Sequence, residues 1–483
     1  MTREYETVIG LEVHVELATR TKIFCGCSTA FGGRPNSHTC PVCTGMPGAL
    51  PVLNRQVLDY AVAVGLATHC EVAGQSRFDR KNYFYPDNPQ NYQISQLYLP
   101  VCREGYVDID MPEGSRRIRI REIHMEEDAG KLIHCEDGKH TLVDYNRSGV
   151  PLIEIVTEPD MRNAGEVIAF LEKLRLLIQY LGASDCKLQE GSLRVDVNLS
   201  LGEKDTAQLG VRTEMKNLNS FHAIVGAIEA ERDRQAALLE SGGAVVMETR
   251  RWDEDAGCSH SMRSKENVRD YRYFPDPDLP PVYISEEYTE KIRARQPEFR
   301  TEKMARYKRE YQIPDYDVEI LTGSKHMADL FEAASAICGQ PKKVSNWLMG
   351  ETLRLLREHR MDAQDIRVSP RHLAALIEMT DQKQITGSVA KEVYEVMFLR
   401  DVDPAEYVEK RGLKTVGDRE VLGRTVREVI AANPRSVADY HGGKEKVLGF
   451  LVGQTMKAMG GKADPVGVGE LLKELLRESK TEA

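Results

Sequence analysis

Leu11-Glu12-Val13-His14-Val15-Glu16-Leu17 alternates apolar and ionisable residues with a period of two over seven positions. In a strand that period places Glu12, His14 and Glu16 on one face and Leu11, Val13, Val15 and Leu17 on the other. The apolar face can pack on a core, while two carboxylates and an imidazole line whatever lies opposite. That is the ligand set of a hard-cation or mixed metal site. The same alternation is also the ordinary signature of a solvated antiparallel-sheet face, so other segments must decide.

Three segments extend the pattern. An Arg/Ile alternation from Arg117 to Arg121 runs into His124-Met125-Glu126-Glu127-Asp128, which puts His124 and Glu126 on one strand face. Leu152-Ile153-Glu154-Ile155-Val156 sets one carboxylate in an apolar, β-branched run, where an unpaired charge is costly. Glu154 therefore calls for a cation, either a metal or a partner such as Arg147. Leu193 to Leu201 carries Arg194, Asp196, Asn198 and Ser200 on one face and five aliphatics on the other. This strand and the opening one are expected as opposite walls of a cleft. Arg212-Thr213-Glu214-Met215-Lys216-Asn217 adds two cations and a carboxylate. Such an inventory suits a site where Mg²⁺ and cationic side chains neutralise a triphosphate. Arg80-Lys81-Asn82-Tyr83-Phe84-Tyr85-Pro86 reads as a loop in which aromatics stack on a base beside a phosphate-binding Lys, or which simply packs on the sheet. No Gly-x-x-x-x-Gly-Lys-Ser/Thr loop is present, and no Ser-His-Asp or Cys-His order stands out for nucleophilic catalysis.

The chain has 483 residues, more than one core usually supports, so two or three domains are expected. It is 41% hydrophobic and 29% charged, with no apolar run of membrane-spanning length. Met1 to Glu6 contains no apolar signal core, and a cytoplasmic location is expected. From Tyr5 to about Val282 short alternating strands mix with helical stretches at Glu166 to Leu181 and Phe221 to Glu240, which is an α+β pattern with antiparallel pairing. Pro275 to Pro281 ends it, a boundary falls near residue 290, and the remainder reads as helical. Helix starts are signalled by Ser369-Pro370 and by Thr386 or Ser388, and a second boundary lies near Asp403-Pro404.

Ten Cys are present, four of them grouped as Cys25-x-Cys27 and, twelve residues on, Cys40-Pro41-Val42-Cys43. In a reducing compartment four thiolates at this spacing favour structural, tetrahedral zinc, with His38 as a substitute ligand. Cys70, Cys102, Cys135, Cys186, Cys258 and Cys338 read as small core residues.

Sixty-five Lys and Arg against 75 Asp and Glu give a net charge of -10, which does not advertise a nucleic-acid binder. Locally the sign reverses: Lys410 to Lys462 holds eleven Lys or Arg against five Asp or Glu, which suggests a polyanionic partner. Lys444 to Met459 is helical in pattern. It sets Lys446, Gly449, Gly453 and Lys457 within one face about 80° wide. RNA backbone approaching the two glycines, or a helix packed on them, both explain that face.

Long strings of the chain resemble one family, the B subunits of the bacterial aspartyl/glutamyl-tRNA amidotransferases. They are Val8-Ile9-Gly10-Leu11-Glu12-Val13-His14, Lys81-Asn82-Tyr83-Phe84-Tyr85-Pro86-Asp87, His124 to Lys131, Asp144-Tyr145-Asn146-Arg147, Arg212 to Phe221, Asp270-Tyr271-Arg272-Tyr273-Phe274-Pro275 and Gly449 to Gln454. The resemblance implies an α+β cradle domain over residues 1–292, related in fold to glutamine synthetase and guanido kinases. A helical domain over 293–403 and a tRNA-binding, YqeY-like tail over 404–483 follow. It further implies ATP-dependent phosphorylation of the side-chain carboxylate of Glu-tRNA(Gln) or Asp-tRNA(Asn), then amidation. The ammonia would come from an amidase-type glutaminase partner, held by a small third subunit in a heterotrimer.

Carried over by position, Glu12, His14, Glu126 and Glu154 are the implied Mg²⁺ ligands, with Glu127 close by. Lys81, Tyr83, Arg194, Asp196, Glu214 and Lys216 serve ATP and the aminoacyl end. Cys25, Cys27, Cys40 and Cys43 hold zinc, and Lys446, Gly449, Gly453 and Lys457 meet tRNA. Val195 stands where many members have Cys, on the side expected to face the core. The rival readings are a metal-dependent phosphohydrolase and a zinc-containing RNA-binding scaffold. The longer archaeal paralogue carries an inserted domain for which this chain has no counterpart.

Overall fold

A computed structural model describes residues 5–135, 137–204, 209–264, 271–415 and 419–481. The chain forms two compact units, residues 1–299 and residues 300–483.

The first unit is built on strands β1 (Tyr5–Glu16), β2 (Glu71–Val72), β3 (Cys102–Met111), β4 (Gly114–Glu127), β5 (Pro151–Thr157), β6 (Leu193–Glu203), β7 (Thr213–Lys216), β8 (Glu248–Asp253) and β9 (Cys258–Ser264). They make one nine-stranded sheet in the order β9-β8-β7-β6-β1-β5-β4-β3-β2. Neighbours run antiparallel except β7 and β8, which are parallel. That exception follows from the 20-residue helix between them, because parallel strands need a crossover.

Helices α1 (Arg55–Ala67), α2 (Ala164–Leu181) and α3 (Phe221–Glu240) cover the apolar side of the sheet. Asn54, Asn163 and Ser220 cap their first turns, and Gly182 ends α2 in the left-handed conformation at φ 68°. Ile9, Leu11, Val13 and Val15 point into this core with Val62, Phe170 and Ile224. β1 lies mid-sheet, which is why those four side chains are at most 1% exposed.

Two sequence expectations need correction here. β1 and β6 are not opposite walls of a cleft; they are neighbours in the one sheet, with Glu12 opposite Asp196 and His14 opposite Arg194. Two amphipathic strands sharing one apolar core gain more by pairing their backbones than by facing each other across water. Lys81 belongs to a short strand, Asp79–Asn82, which pairs with Tyr92–Ser95 and with Phe274–Pro275 in a separate three-stranded sheet. Arg80 ties that sheet down: Nε is 2.8 Å from Asp276 and Nη2 is 2.7 Å from Asp278.

The second unit is helical. One apolar cluster gathers Tyr307, Phe331, Tyr394, Phe398 and Val408; another gathers Val426, Leu451, Val468 and Leu472. Ser369 caps Pro370–Asp381, Thr386 caps Gly387–Arg400, and Asp403 caps Pro404–Arg411. No helix among the described residues is long and apolar enough to cross a membrane.

Candidate active site

Strand register assembles the polar face. β1 lies between β5 and β6, so His14 stands opposite both Glu154 and Arg194, while β5 sets Glu154 opposite His124. A row Arg194–His14–Glu154–His124 therefore crosses four adjacent strands. His14 Nε2 is 3.5 Å from Glu126 Oε1 and 3.5 Å from Glu154 Oε2. His124 Nε2 is 2.9 Å from Glu154 Oε2 and 3.8 Å from Glu126 Oε2. Ser95 Oγ donates to Glu126 Oε2 at 3.2 Å from the three-stranded sheet.

Burial disfavours both imidazolium ions. The surrounding carboxylates outweigh it, Glu154 foremost, and raise the pKa values of His14 and His124. The same burial opposes ionisation of Glu126 and Glu154, and the histidines outweigh it in turn. His14, Glu126 and Glu154 each offer a ligand atom within 4.8 Å of the others, so these three suit a divalent cation.

Glu12 does not join them. It stands with Asp196 and Glu214, again with ligand atoms within 4.8 Å of one another. Its pKa is raised by burial and by the charges of Glu154 and Glu214, a sign that the two groups feel each other. Lys216 Nζ meets Asp196 and lies 3.1 Å from Glu214 Oε1. Asn198 Nδ2 donates to Glu12 Oε1 at 3.1 Å and Thr249 Oγ1 to Glu214 Oε2 at 2.8 Å. A pocket of about 230 Å³ opens beside this group, lined by Gly10, Glu12, Arg121, Asn198 and Arg212.

Arg194 is committed to Asp128, with Nη2 2.7 Å from Oδ2 and Nη1 3.3 Å from Oδ1. Arg147 also turns to Asp128, at 3.5 Å, so the side chains nearest Glu154 are histidines rather than this arginine. Burial and the Asp128 charge push Glu16 up to about 8. The sequence sets His124 on one strand face with Glu126, as found; Asp128 and Tyr273 lie in the quoted family strings without an assigned role, and Thr249 carries no local signal.

Lys81 lies in the smaller sheet and Tyr83 follows directly after its strand. Lys81 Nζ is 5.1 Å from the Tyr271 ring centroid, and Tyr83 meets Tyr271 edge-on at 6.1 Å. Tyr273 follows at 6.1 Å from Tyr271. Burial, reinforced by Asp87 at Tyr83 and by Glu126 at Tyr273, raises both phenol pKa values. Asp270 of the same motif lies outside the described residues.

Cys25, Cys27, Cys40 and Cys43 bring their sulfurs within 4.8 Å of one another, the fit a tetrahedral thiolate site demands. The Cys25 thiol and Lys22 draw Cys43 down to about 4. His38 stands outside this set, its Nδ1 buried without a partner. Of the remaining cysteines, Cys70, Cys102 and Cys186 are buried, while Cys135, Cys258 and Cys338 are partly exposed.

In the second unit, helix Val447–Ala458 presents Lys446, Gly449, Gly453 and Lys457 to solvent. A Cβ added at either glycine would meet nothing within 4 Å, so no helix packs there among the described residues. Leu451 and Thr455 are buried on the opposite side.

Comparison with known proteins decides the family. A family model described as GatB/GatE catalytic domain matches residues 7–290, and one described as GatB domain matches residues 329–476. The chain belongs to the B-subunit family of aspartyl/glutamyl-tRNA amidotransferases. The B subunit of the Agathobacter rectalis aspartyl/glutamyl-tRNA(Asn/Gln) amidotransferase is 65% identical over 98% of this chain and 100% of its own length. The B subunit from Lachnospira eligens is 62% identical over 98% of this chain and 100% of its own. Its counterpart from Lachnoclostridium phytofermentans is 58% identical, covering 98% and 99%. Both ionisable clusters, the cysteine knuckle and the three-stranded sheet lie within the stretch matched by the catalytic-domain model.

Proposed function

We propose that this chain is the subunit of a tRNA-dependent amidotransferase that activates the side-chain carboxylate of Glu-tRNA(Gln) or Asp-tRNA(Asn) and amidates it. The observation that carries the reading is the pairing of two ionisable clusters on one sheet face, in a chain of this family. The substrate carboxylate attacks the γ-phosphorus of ATP and ADP leaves. Ammonia then attacks the acyl carbon, the acyl–oxygen bond to phosphate breaks, and the new amide sheds a proton. A carboxylate is already nucleophilic at neutral pH, so the first step needs charge neutralisation more than a base.

In this scheme His14, Glu126 and Glu154 hold a divalent cation, and Glu12, Asp196 and Glu214 lie toward the triphosphate. Such a cation, when bound, neutralises phosphate charge and lines up the transferring group. Lys81 and Lys216 supply further positive charge. Tyr83, with Tyr271, forms the aromatic side of the cleft, and Arg194 stiffens the row through Asp128. Cys25, Cys27, Cys40 and Cys43 hold a structural zinc. We assign residues 1–292 to the cradle related in fold to glutamine synthetase, residues 293–403 to a helical domain and residues 404–483 to the tRNA-binding tail. Three separate apolar clusters support a three-part division, with Val408 in the second of them, so the helix Pro404–Arg411 packs with the middle part. An amidase-type glutaminase would supply ammonia, with a small third subunit in the assembly, in a cytoplasmic complex.

The test is amide formation on mischarged tRNA with ammonium, ATP and Mg²⁺ in the reconstituted complex. It should proceed with the natural chain and fail with Glu12→Gln. Full phosphoryl transfer by Glu12→Gln, with normal tRNA binding, would refute the site assignment.

A further inference from the structure

Lys22 is 0% exposed, an uncommon place for an ammonium. Its Nζ donates to His38 O at 2.8 Å and Tyr145 O at 3.1 Å, and it lies 3.4 Å from Cys43 Sγ. No carboxylate among the described residues comes within ion-pair distance of it. A buried cation without a counter-charge is severely destabilising, and two carbonyl dipoles satisfy its protons but not its charge. Among its partners in the described residues, the sulfur is the one able to be anionic. Four thiolates around one Zn²⁺ carry two net negative charges, and a single ammonium halves that excess.

Lys22 also ties the knuckle to the catalytic sheet. Besides its bond to Tyr145 O, Ser148 Oγ donates to Cys43 O at 2.9 Å and Ile23 N to Gly149 O at 2.9 Å. Gly149 N then donates to Asp128 O at 2.9 Å, and Asp128 N to Val150 O at 2.9 Å. The turn lies in contact with the knuckle: a Cβ at Gly149, which sits at φ +80°, would lie 3.5 Å from Cys43 Cβ and 3.6 Å from Lys22 Cδ. Asp128 is the residue that grips Arg194. A continuous chain of bonds thus runs from the sulfurs to the end of the His14 row.

We propose that Lys22 is the built-in counter-cation of the metal–thiolate centre, and that through it the metal holds the Tyr145–Val150 turn, and with it Asp128, in place. This rests on the zinc reading of the four cysteines. It makes Lys22 a positioning residue with no contact to substrate. Oxidation or chelation at the knuckle would then loosen the catalytic face without touching any of its own residues.

The experiment measures zinc in the purified full-length chain and its transfer to a metallochromic chelator, for wild type, Lys22→Met, Lys22→Gln and Lys22→Arg. Loss of an outer partner of a metal site typically weakens affinity about 10–100-fold. A weakening of that size is expected in Lys22→Met and Lys22→Gln, and near-normal retention in Lys22→Arg. Wild-type retention in Lys22→Gln would show that charge is not what matters and would overturn the assignment. Should the variants not fold, amide hydrogen exchange on the wild-type chain with and without zinc decides. Amides of Asp128, Ser148, Gly149 and Val150 must lose protection on zinc removal while those of α3 keep theirs; unchanged protection at the turn overturns the coupling. A wild-type chain that holds no zinc under reducing, metal-replete conditions would refute the zinc reading itself, a result distinct from both.

Discussion

Glu12 and His14 lie two residues apart on one strand face, yet they belong to different clusters: His14 to Glu126 and Glu154, Glu12 to Asp196 and Glu214. The split arises because β1 has a different neighbour on each side. His14 reaches toward β5 and β4, and Glu12 toward β6 and β7. Two adjacent anionic groups can share one polyphosphate, with a divalent cation in one and a lysine in the other.

Removing Glu154, which meets both His14 and His124, should therefore empty the first cluster alone. Glu154→Gln is expected to weaken Mn²⁺ binding, read by electron paramagnetic resonance, by more than about tenfold, since even outer partners are worth that much. Glu16→Gln, which removes a carboxyl outside both clusters, should bind Mn²⁺ as wild type does. Equal losses in the two variants would contradict the ligand assignment.

Lys216 holds the second cluster together against mutual repulsion. Lys216→Met should melt earlier than wild type in chelator and should gain more from added Mg²⁺. An ion binding only the folded state contributes about 2.7 kcal/mol at one hundred times its Kd. A variant whose melting ignores Mg²⁺ would contradict this.

On the helix side, Glu231 accepts from Thr213 Oγ1 at 2.7 Å and Gln235 Nε2 at 2.8 Å, beside Arg234 and Arg250. Burial works against its ionisation, but the Arg234 and Gln235 bonds outweigh it and hold its pKa below the ordinary value. A depressed folded pKa means that its stabilisation is present above the unfolded value, about 4.3, and is lost as the pH falls through the folded one. Glu231→Gln should cost about 1–3 kcal/mol at pH 7. The gap to wild type should close as the pH falls below about 4.3. Chemical denaturation from pH 7 to 3.5 checks it, and a pH-independent gap would refute it.

In the tail, both glycines of the exposed face have open space where a Cβ would go. Gly449→Ala with Gly453→Ala should raise helix stability by about 1 kcal/mol per site. If tRNA backbone approaches the helix axis there, the same pair must weaken tRNA binding. Lys446→Ala with Lys457→Ala should lower the slope of log affinity against log salt by about two, roughly one per phosphate contact. A stabilised tail with undiminished tRNA affinity would remove the glycines from the interface.

Much of this was legible in local spacing. The period of two set the buried and polar sides of β1, and the two cysteine pairs announced their knuckle. Ser369 and Thr386 mark helix starts that depend on nearby residues alone. What was not legible depends on register. Whether Glu12 meets Glu154 or Asp196 is decided by pairing with strands more than a hundred residues away. Lys22 looks like any surface lysine until the Tyr145–Val150 turn closes over it. Lys81 reads as a loop residue in the sequence, because its short strand exists only by pairing with Tyr92–Ser95 and Phe274–Pro275.

In the proposed reaction this sheet face phosphorylates the carboxylate that is then amidated. Glu-tRNA(Gln) labelled with ¹⁸O in its side-chain carboxylate, turned over by the complex with ATP and ammonium, tests it directly. With both carboxylate oxygens labelled, one ¹⁸O is expected in the released phosphate per amide formed, and neither product with Glu12→Gln. Amide formed while the phosphate carries no label would contradict it.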